Sequence, residues 1–522
     1  MKKRYRYLIL LVAVAALPAG AFLALRDEKV AIETYTSAGR LPAIHPDYVG
    51  TVMPPNIAPL NFVVDEPGTR YYVRTHAAKG ADIEVSTSEP RIEIPIEPWR
   101  AMVNANRNGD VYFDVYVENA DGGWTRFDTI SNTVAPEEID GYLAYRQIRH
   151  VSRRFRYMGI YQRNLENYDE SPILRNQALG GRKDFGHGCV NCHTFLNNRP
   201  DSMILHVRLA SGPNPAPTLL FRDGRIANVD TRTGPKTRAA GIITWHPSGR
   251  LAAFSTNRFE VFCHSSGFNV EGLDFDSDMA IYLIDSNTIT TTPVISRHDR
   301  HETFPTWSPD GEYLYFCSAP KLPLERFKEV RYDLMRIRYD QESNTWGELE
   351  TLLSARETGM SITEPRVSPD GRLLLFCMAR YGVMPTYQPE ADLYLMDLET
   401  GRHRRLDCNS DRPESWHSWS SNSRWIAFSS KRGDGLYARP YLSYVDKQGK
   451  AHKPILLPQK DPTFYDSFLQ HFNLPELITG PVPLTRRELV NAIVSPDEVV
   501  KVKVAHGVGG PGKPADASGY KN

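Results

Sequence analysis

The sequence predicts a mainly β protein in three parts: an N-terminal Ig-like β-sandwich, a short helical segment, and a β-propeller. Three observations carry this. A pattern of two short strands around a tight turn recurs four times beyond residue 240. Residues 55–134 alternate apolar and polar in short runs broken by Gly, Pro and Asn. The chain also holds 36 Gly, 38 Pro and 26 Tyr, which favours strands joined by many turns over a helical bundle. Its 62 basic and 62 acidic residues cancel, which argues against nucleic acid or an anionic membrane surface as the main partner.

The first residues have their own logic. Lys2, Lys3, Arg4 and Arg6 precede an apolar run from Leu8 to Leu25. Residues 1–28 therefore read as an export signal, with the basic end in the cytoplasm. Ala19-Gly20-Ala21 offers a cleavage site. Alternatively the segment stays as a membrane anchor, because 18 apolar residues at ~1.5 Å each nearly span a bilayer core. The rest of the chain is expected to be soluble and extracytoplasmic, periplasmic or otherwise.

Residues 50–135 are expected to form the Ig- or fibronectin-like sandwich. Immunoglobulin-type cysteines are absent, so the expectation rests on strand pattern alone. From residue 136 the period changes. PEEIDGYLAYRQI and MGIYQRNLENYDES read as helices, with Glu137 and Glu138 early in the first. Residues 136–202 are thus expected to be a helical cofactor-binding segment. Tyr157, Met158, Tyr161, Phe185 and Phe195 are its apolar residues.

The cofactor is read from KDFGHGCVNCHTFLNN, starting at Lys183. It contains C-x-x-C-H, the attachment sequence for c-type haem. Two thiols add to the two vinyl groups on one porphyrin edge, and the adjacent His turns under the ring as the proximal iron ligand. A thioredoxin-like pair has no use for the His, and a zinc site needs a second ligand pair at suitable spacing. One covalent haem c is therefore expected, with Cys189 and Cys192 as thioethers and His193 on the iron.

The sixth ligand has several candidates. Met203 and His206 follow in DSMILHVRLA. Read as a strand, Met203, Leu205 and Val207 face one way, and Ile204, His206 and Arg208 the other. His206 suits the iron and Arg208 a haem propionate. His264 and Met203 are the alternatives, and an open position is another.

The repeat copies are IITWHPSGRLAAFSTN, TFPTWSPDGEYLYFCSA, TEPRVSPDGRLLLFCMA and SWHSWSSNSRWIAFSSK. They are anchored at Trp245, Trp307, Val367 and Trp419, roughly 50–60 residues apart, a blade-length period. Asp-Gly supplies the hairpin turn. An outer hairpin follows each copy, making four strands per repeat. Cys317 and Cys377 fall at the same place in two successive copies, a small apolar core position.

The pattern x-W-S-P-D-G-x-x-(apolar)-x-F resembles the TolB-like propeller repeats over residues 203–460. A half-matched blade (HVRLA, TLLFRDG, RIANVDT) gives five blades; the resemblance to TolB suggests six. Residues 461–522 are left as a C-terminal extension. The wider layout resembles exported single-haem proteins with such a propeller, which implies architecture and location.

Neither G-x-S-x-G nor a P-loop is found, so no hydrolase or nucleotide chemistry is expected. Asp274, Asp276 and Asp278 alternate as a cation site would, but without the Gly and distal Glu of an EF-hand they read as a solvated loop. The expected function is electron transfer to or from a redox partner protein docked on the propeller. The alternatives are a haem-containing binding, scaffold or sensor protein, and a haem enzyme.

Overall fold

The structure is a computed structural model that describes residues 32–149, 157–179, 189–209, 212–234, 237–263 and 270–505. The signal or anchor segment, Phe185 and His264 lie outside the described residues. Among the described residues no helix is long and apolar enough to cross a membrane.

Residues 36–134 form the sandwich. A seven-stranded sheet, with Arg70–Ala77 and Asp110–Glu118 as its longest strands, faces a three-stranded one. Burial alternates along Ile130–Val134, as an outer face and an inner face require. A helix that the strand pattern did not predict, Ile96–Ala105, precedes Asp110–Glu118 in the chain. It buries Trp99, Met102 and Val103, and the Trp99 Nε1–H donates to the Ile57 carbonyl at 3.0 Å.

Six sheets follow, each a meander of four antiparallel strands. They are numbered here as blades 1 to 6. The inner strands of blades 2 to 6 are Cys189–Leu196, Ile242–Trp245, Arg300–Trp307, Ser361–Val367 and Glu414–Trp419. Blade 1 takes Tyr142–Ile148, Gly159–Asn164 and Glu170–Arg175 from one end of the ring, and its inner strand, His471–Ile478, from the other. Each inner strand touches the next, and that of blade 1 touches both blade 6 and blade 2. The ring is closed, a β-propeller around a central axis.

This corrects three expectations. The helices expected over 136–175 are the outer strands of blade 1. Gly141 interrupts the first, and Leu143, Ala144 and Tyr145 are buried in the pairing with His471–Ile478. In the second, Asn164 and Asn167 are turn residues whose side chains accept the N–H two positions on, at 2.8 and 3.0 Å. Second, six sheets follow the sandwich, the alternative that the TolB resemblance implied rather than the five counted from the repeats. Blade 1 carries no Ser-Pro-Asp-Gly turn, so the repeat did not reveal it. Third, the attachment motif does not precede the propeller at 203; it is the inner strand of blade 2.

The extension beyond 461 is also structural. Besides the closing strand it forms a helix, Arg486–Val494. Thr485 Oγ1 accepts from the Glu488 N–H, and Glu488 Oε2 accepts from the Thr485 N–H, a capping box. Leu489 and Ile493 pack into the apolar core of blades 1 and 2. Val499–Lys501 and Lys503–Val504 add parallel strands to the outer edges of blades 2 and 3.

The recurring turn has one mechanism. Ser308, Ser368 and Ser420 accept, through Oγ, the N–H five residues on, at 2.9, 3.0 and 2.9 Å. The fourth turn residue takes a positive φ: Gly249, Gly311 and Gly371 at 69°, 79° and 74°, and Ser423 at 62° in the loosest copy.

The sandwich docks on blade 6. Trp425 Nε1–H donates to the Glu137 carbonyl at 3.1 Å, and the Tyr444 hydroxyl donates to Glu137 Oε2 at 2.6 Å. Sandwich, blade 6 and closing strand share one apolar core containing Trp99, Trp425 and Phe472. Phe472 is fully buried on the closing strand. Phe472→Ala is expected to cost about 3–5 kcal/mol, read as a lower denaturant midpoint for the whole propeller. Loss confined to the sandwich signals would mean the ring does not depend on this closure.

Candidate functional site

A cavity of about 390 Å³ runs along the propeller axis. Every blade lines it, through residues that include His193, Thr244, Phe304, Glu364, His417 and Glu476. The cause is a recurrent bulge. In blades 4, 5, 6 and 1 the inner strand slips register at Phe304-Pro305, Glu364-Pro365, Trp416-His417 and Leu474-Pro475. The first residue of each pair has φ between 49° and 57°. A bulge with a left-handed first residue bends the strand and re-aims its side chains. All four of these residues line the cavity.

Blade 2 bulges at the matching place, between Val190 and His193, and the two extra residues are Asn191 and Cys192. The attachment motif thus occupies the position that faces the axis in the other blades. Cys192 and His193 line the cavity. Cys189, at the start of the strand, is half-buried; its thiol donates to Asn191 Oδ1 at 2.9 Å and lies 3.5 Å from Met158 Sδ. Neither thiol is in a disulfide. The strand is fixed from both sides: the Val190 N–H donates to Asn176 Oδ1, and the Phe195 N–H to Glu476 Oε1, both at 2.9 Å.

The His193 ring is buried, and neither Nδ1 nor Nε2 has a hydrogen-bond partner among the described residues. Orphaned buried nitrogens carry a desolvation cost unless a ligand satisfies them. Burial, reinforced by the charges of Arg146 and Arg366, pushes the imidazole pKa down to about 3. The ring is therefore neutral, the form that binds metal. Burial also raises both thiols, opposed by the positive charges of Arg146 and Arg208. Phe195 packs edge-on against His193 at 5.9 Å.

The other expected residues are placed as follows. Met203 lies in the apolar core shared by blades 1 and 2, opposite Phe195. His206 is on the other face of that strand, opposite the bulge; it is buried, and its Nδ1 lacks a partner. Neither lines the axial cavity that holds His193. Arg208 pairs with Cys189 in the ladder and is exposed. Of the aromatic cover, Tyr157 is exposed and Tyr161 stacks on Tyr145 in blade 1, leaving Met158 and Phe195 beside the motif.

The three aspartates are not an open cation site. Asp276 already holds Lys321 at 2.6 Å and Arg238 at 3.1 Å, and Asp274 accepts from Asn257 at 3.1 Å.

Sequence reasoning missed a second cluster. Glu364, Cys377 and His417 are buried together, their ligand atoms all within 4.8 Å of one another. The signal was present in the aligned copies T-F-P-T-W, T-E-P-R-V and S-W-H-S-W, where the first bulge residue changes from Phe to Glu to Trp and the second from Pro to His in the last copy.

No family model matches the chain, and no curated protein matches it. Among solved structures it is similar to TolB from Acinetobacter baumannii, at 12% identity over 78% of this chain and 82% of that one, with a TM-score of 0.40. It is similar to the tricorn protease at 11% identity, covering 76% of this chain and 45% of the other, with a TM-score of 0.32. An oligogalacturonate lyase in complex with manganese is similar at 13% identity, covering 73% and 98%, with a TM-score of 0.28.

One buried carboxylate near the channel gives a pH test. Glu302, on the inner strand of blade 4, is fully buried; burial raises its pKa to about 8 from 4.5, a rise that the Arg297 N–H opposes and the Asp278 charge reinforces. A raised carboxylate pKa means the folded state holds a proton that the unfolded chain releases. Its stabilising share is present below about pH 4.5 and is lost as pH rises through about 8. Glu302→Gln is therefore expected to gain stability relative to the parent protein as pH rises across this window. Parallel melting curves at pH 5 and pH 9 check this; a constant difference between the two proteins would contradict it.

Proposed function

We propose that this is an exported c-type cytochrome that carries one electron through a single covalent haem. The observation that carries the reading is His193: a buried, neutral imidazole on the propeller axis with both nitrogens unpartnered, directly after two unpaired thiols. The residues present suit the group. Cys189 and Cys192 would hold the two vinyl-derived carbons, and His193 would hold the iron. When bound, haem supplies an iron that changes oxidation state by one electron.

The chain's own residues do the rest. Glu476 and Asn176 fix the strand backbone on either side of the motif. Phe195 restricts the His193 ring. Arg146, which donates to Asn191 at 3.3 Å and Asn473 at 3.4 Å, sets a positive charge beside the motif. Arg208 and Arg366 add two more, a set suited to the anionic propionates. The burial of His193 limits water at the metal-binding nitrogen. Cys189 and Cys192 are both half-buried, so a redox partner would approach the group on the side of its thioethers. Export through the N-terminal segment fits this reading, because haem of this type is attached outside the cytoplasm.

Two measurements test it. Cys189→Ala together with Cys192→Ala is expected to abolish the haem stain on a denaturing gel; a surviving stain would sink the assignment. In the parent protein, Arg366→Gln is expected to lower the midpoint potential, because losing a nearby positive charge favours the ferric form. A redox titration reads this, and a raised potential would remove Arg366 from the haem environment. The oxidised spectrum then separates the sixth-ligand candidates: a methionine–iron charge-transfer band discards His206 and His264, and a high-spin spectrum indicates an open position.

A further inference from the structure

We propose that the propeller binds a second metal, a single Zn²⁺ ion, between blades 5 and 6 through Glu364, Cys377 and His417. It shares no ligand with the haem reading, although both sites face the same axial cavity.

The three side chains come from three strands. Glu364 is the left-handed bulge residue of the blade 5 inner strand, at φ 57°. Cys377 is on the second strand of the same blade. His417 is the second bulge residue of the blade 6 inner strand. All three are buried, at 5%, 0% and 5% exposure. Cys377 Sγ lies 3.5 Å from Glu364 Oε2 and 3.7 Å from His417 Nδ1. Ligands at ~2.0–2.3 Å from a tetrahedral zinc stand roughly 3.6 Å apart. Both distances from Cys377 Sγ match that spacing, and all three donor atoms lie within 4.8 Å of one another.

Two further observations point to an ion rather than a closed hydrogen-bond network. Glu364 Oε1 is buried and has no partner among the described residues, although Oε2 accepts from the Trp416 N–H at 2.6 Å. His417 Nε2 lies 3.2 Å from the Leu375 carbonyl. That contact requires the proton on Nε2, leaving the Nδ1 lone pair toward Cys377. A metal-bound His has this arrangement, with its outer nitrogen donating to a carbonyl.

The chemistry selects the ion. A carboxylate, a thiolate and an imidazole form a mixed O, S, N set that suits Zn²⁺. Binding releases the thiol proton, and the two anionic ligands then neutralise the divalent charge in a buried place. Glu364 and His417 both line the axial cavity. The fourth position therefore opens on the cavity, where Arg366 also lies, and would accept water or a small anion.

The neighbouring blade supplies an internal contrast. Cys317 holds the same place in blade 4 and is equally buried. There the bulge positions are Phe304 in its own blade and Pro365 in the next, neither of which can ligate. Of the two repeated cysteines, only Cys377 meets a carboxylate and an imidazole.

The test uses the full-length haem-loaded protein, equilibrated with micromolar ZnSO₄ and then freed of unbound metal. Elemental analysis is expected to find one zinc per chain beside one iron. Outer-shell changes alone cost roughly 10–100-fold in metal affinity, so Cys377→Ser and His417→Ala should each weaken zinc binding at least ~10-fold. Cys317→Ser should leave it unchanged. Should a variant fail to fold, Cd²⁺ added to the parent protein supplies the second readout, a thiolate-to-cadmium absorption in the difference spectrum. Parent protein that retains no zinc and shows no such absorption overturns the proposal, as do Cys377→Ser and His417→Ala proteins that bind zinc as tightly as the parent. Iron content and the haem stain report on the haem separately, so failure of one reading is not failure of the other.

Discussion

The pairing of His471–Ile478 with Tyr142–Ile148 is the contact on which the rest of the structure depends. Without it blade 1 lacks its inner strand, blade 6 presents an open face, and the axial cavity has a gap in its wall. An exposed strand edge is also a template for unwanted pairing, which closure removes. The closing strand joins segments more than three hundred residues apart, so its chain-entropy cost is met by packing. Phe472 and Leu477 are fully buried in the core that continues into the sandwich and blade 6. The sandwich is thus a clamp over the seam as well as a separate layer.

Closure has a chemical consequence. In a closed ring the inner strands converge on one axis, and in five of the six blades a bulge at a common height aims one or two residues into a shared cavity. The residue at that height is free to vary, because the ladder on either side holds the strand. Phenylalanine, glutamate, tryptophan and leucine occupy the left-handed position in four blades, and in blade 2 Asn191 takes the matching place without a positive φ. The cavity wall is therefore a set of independent choices on one scaffold. Arg366 and Glu476 introduce opposite charges into it, and burial raises the Glu476 carboxyl to about 7 despite Arg366.

The strands and turns of blades 3 to 6 were legible because each turn carries its own local chemistry, a serine oxygen and a residue at positive φ. Blade 1 was not, because its strands are rich in Tyr and Arg, lack the turn motif, and are defined by a partner from the far end of the ring. Local periodicity there suggested helices, and tertiary pairing overrode it. The C-x-x-C-H motif was legible in the local sequence as an expectation of haem attachment. Its seat was not: nothing in the local sequence says that Cys192 stands where Pro305 and Pro365 stand in other blades. Arg208 and His206 were correctly put on the strand face away from Met203. That face does not line the cavity, a fact set by how the blades twist around the axis.

Asn191, unlike the other four bulge residues, is absent from the positive-φ set. The difference follows from what surrounds it. Its side chain accepts from both the Cys189 thiol and Arg146, so the local backbone is held by polar contacts across blades 1 and 2. In blades 4, 5 and 1 the second bulge residue is proline, whose fixed φ and missing N–H suit a strand edge with no further partner. In blade 2 that position is Cys192, and in blade 6 it is His417. At this second position, the two blades without proline carry a thiol and an imidazole, side chains able to bond a cofactor or a metal. The same structural slot that elsewhere terminates hydrogen bonding thus carries, in these two blades, a side chain with a donor atom facing the axis.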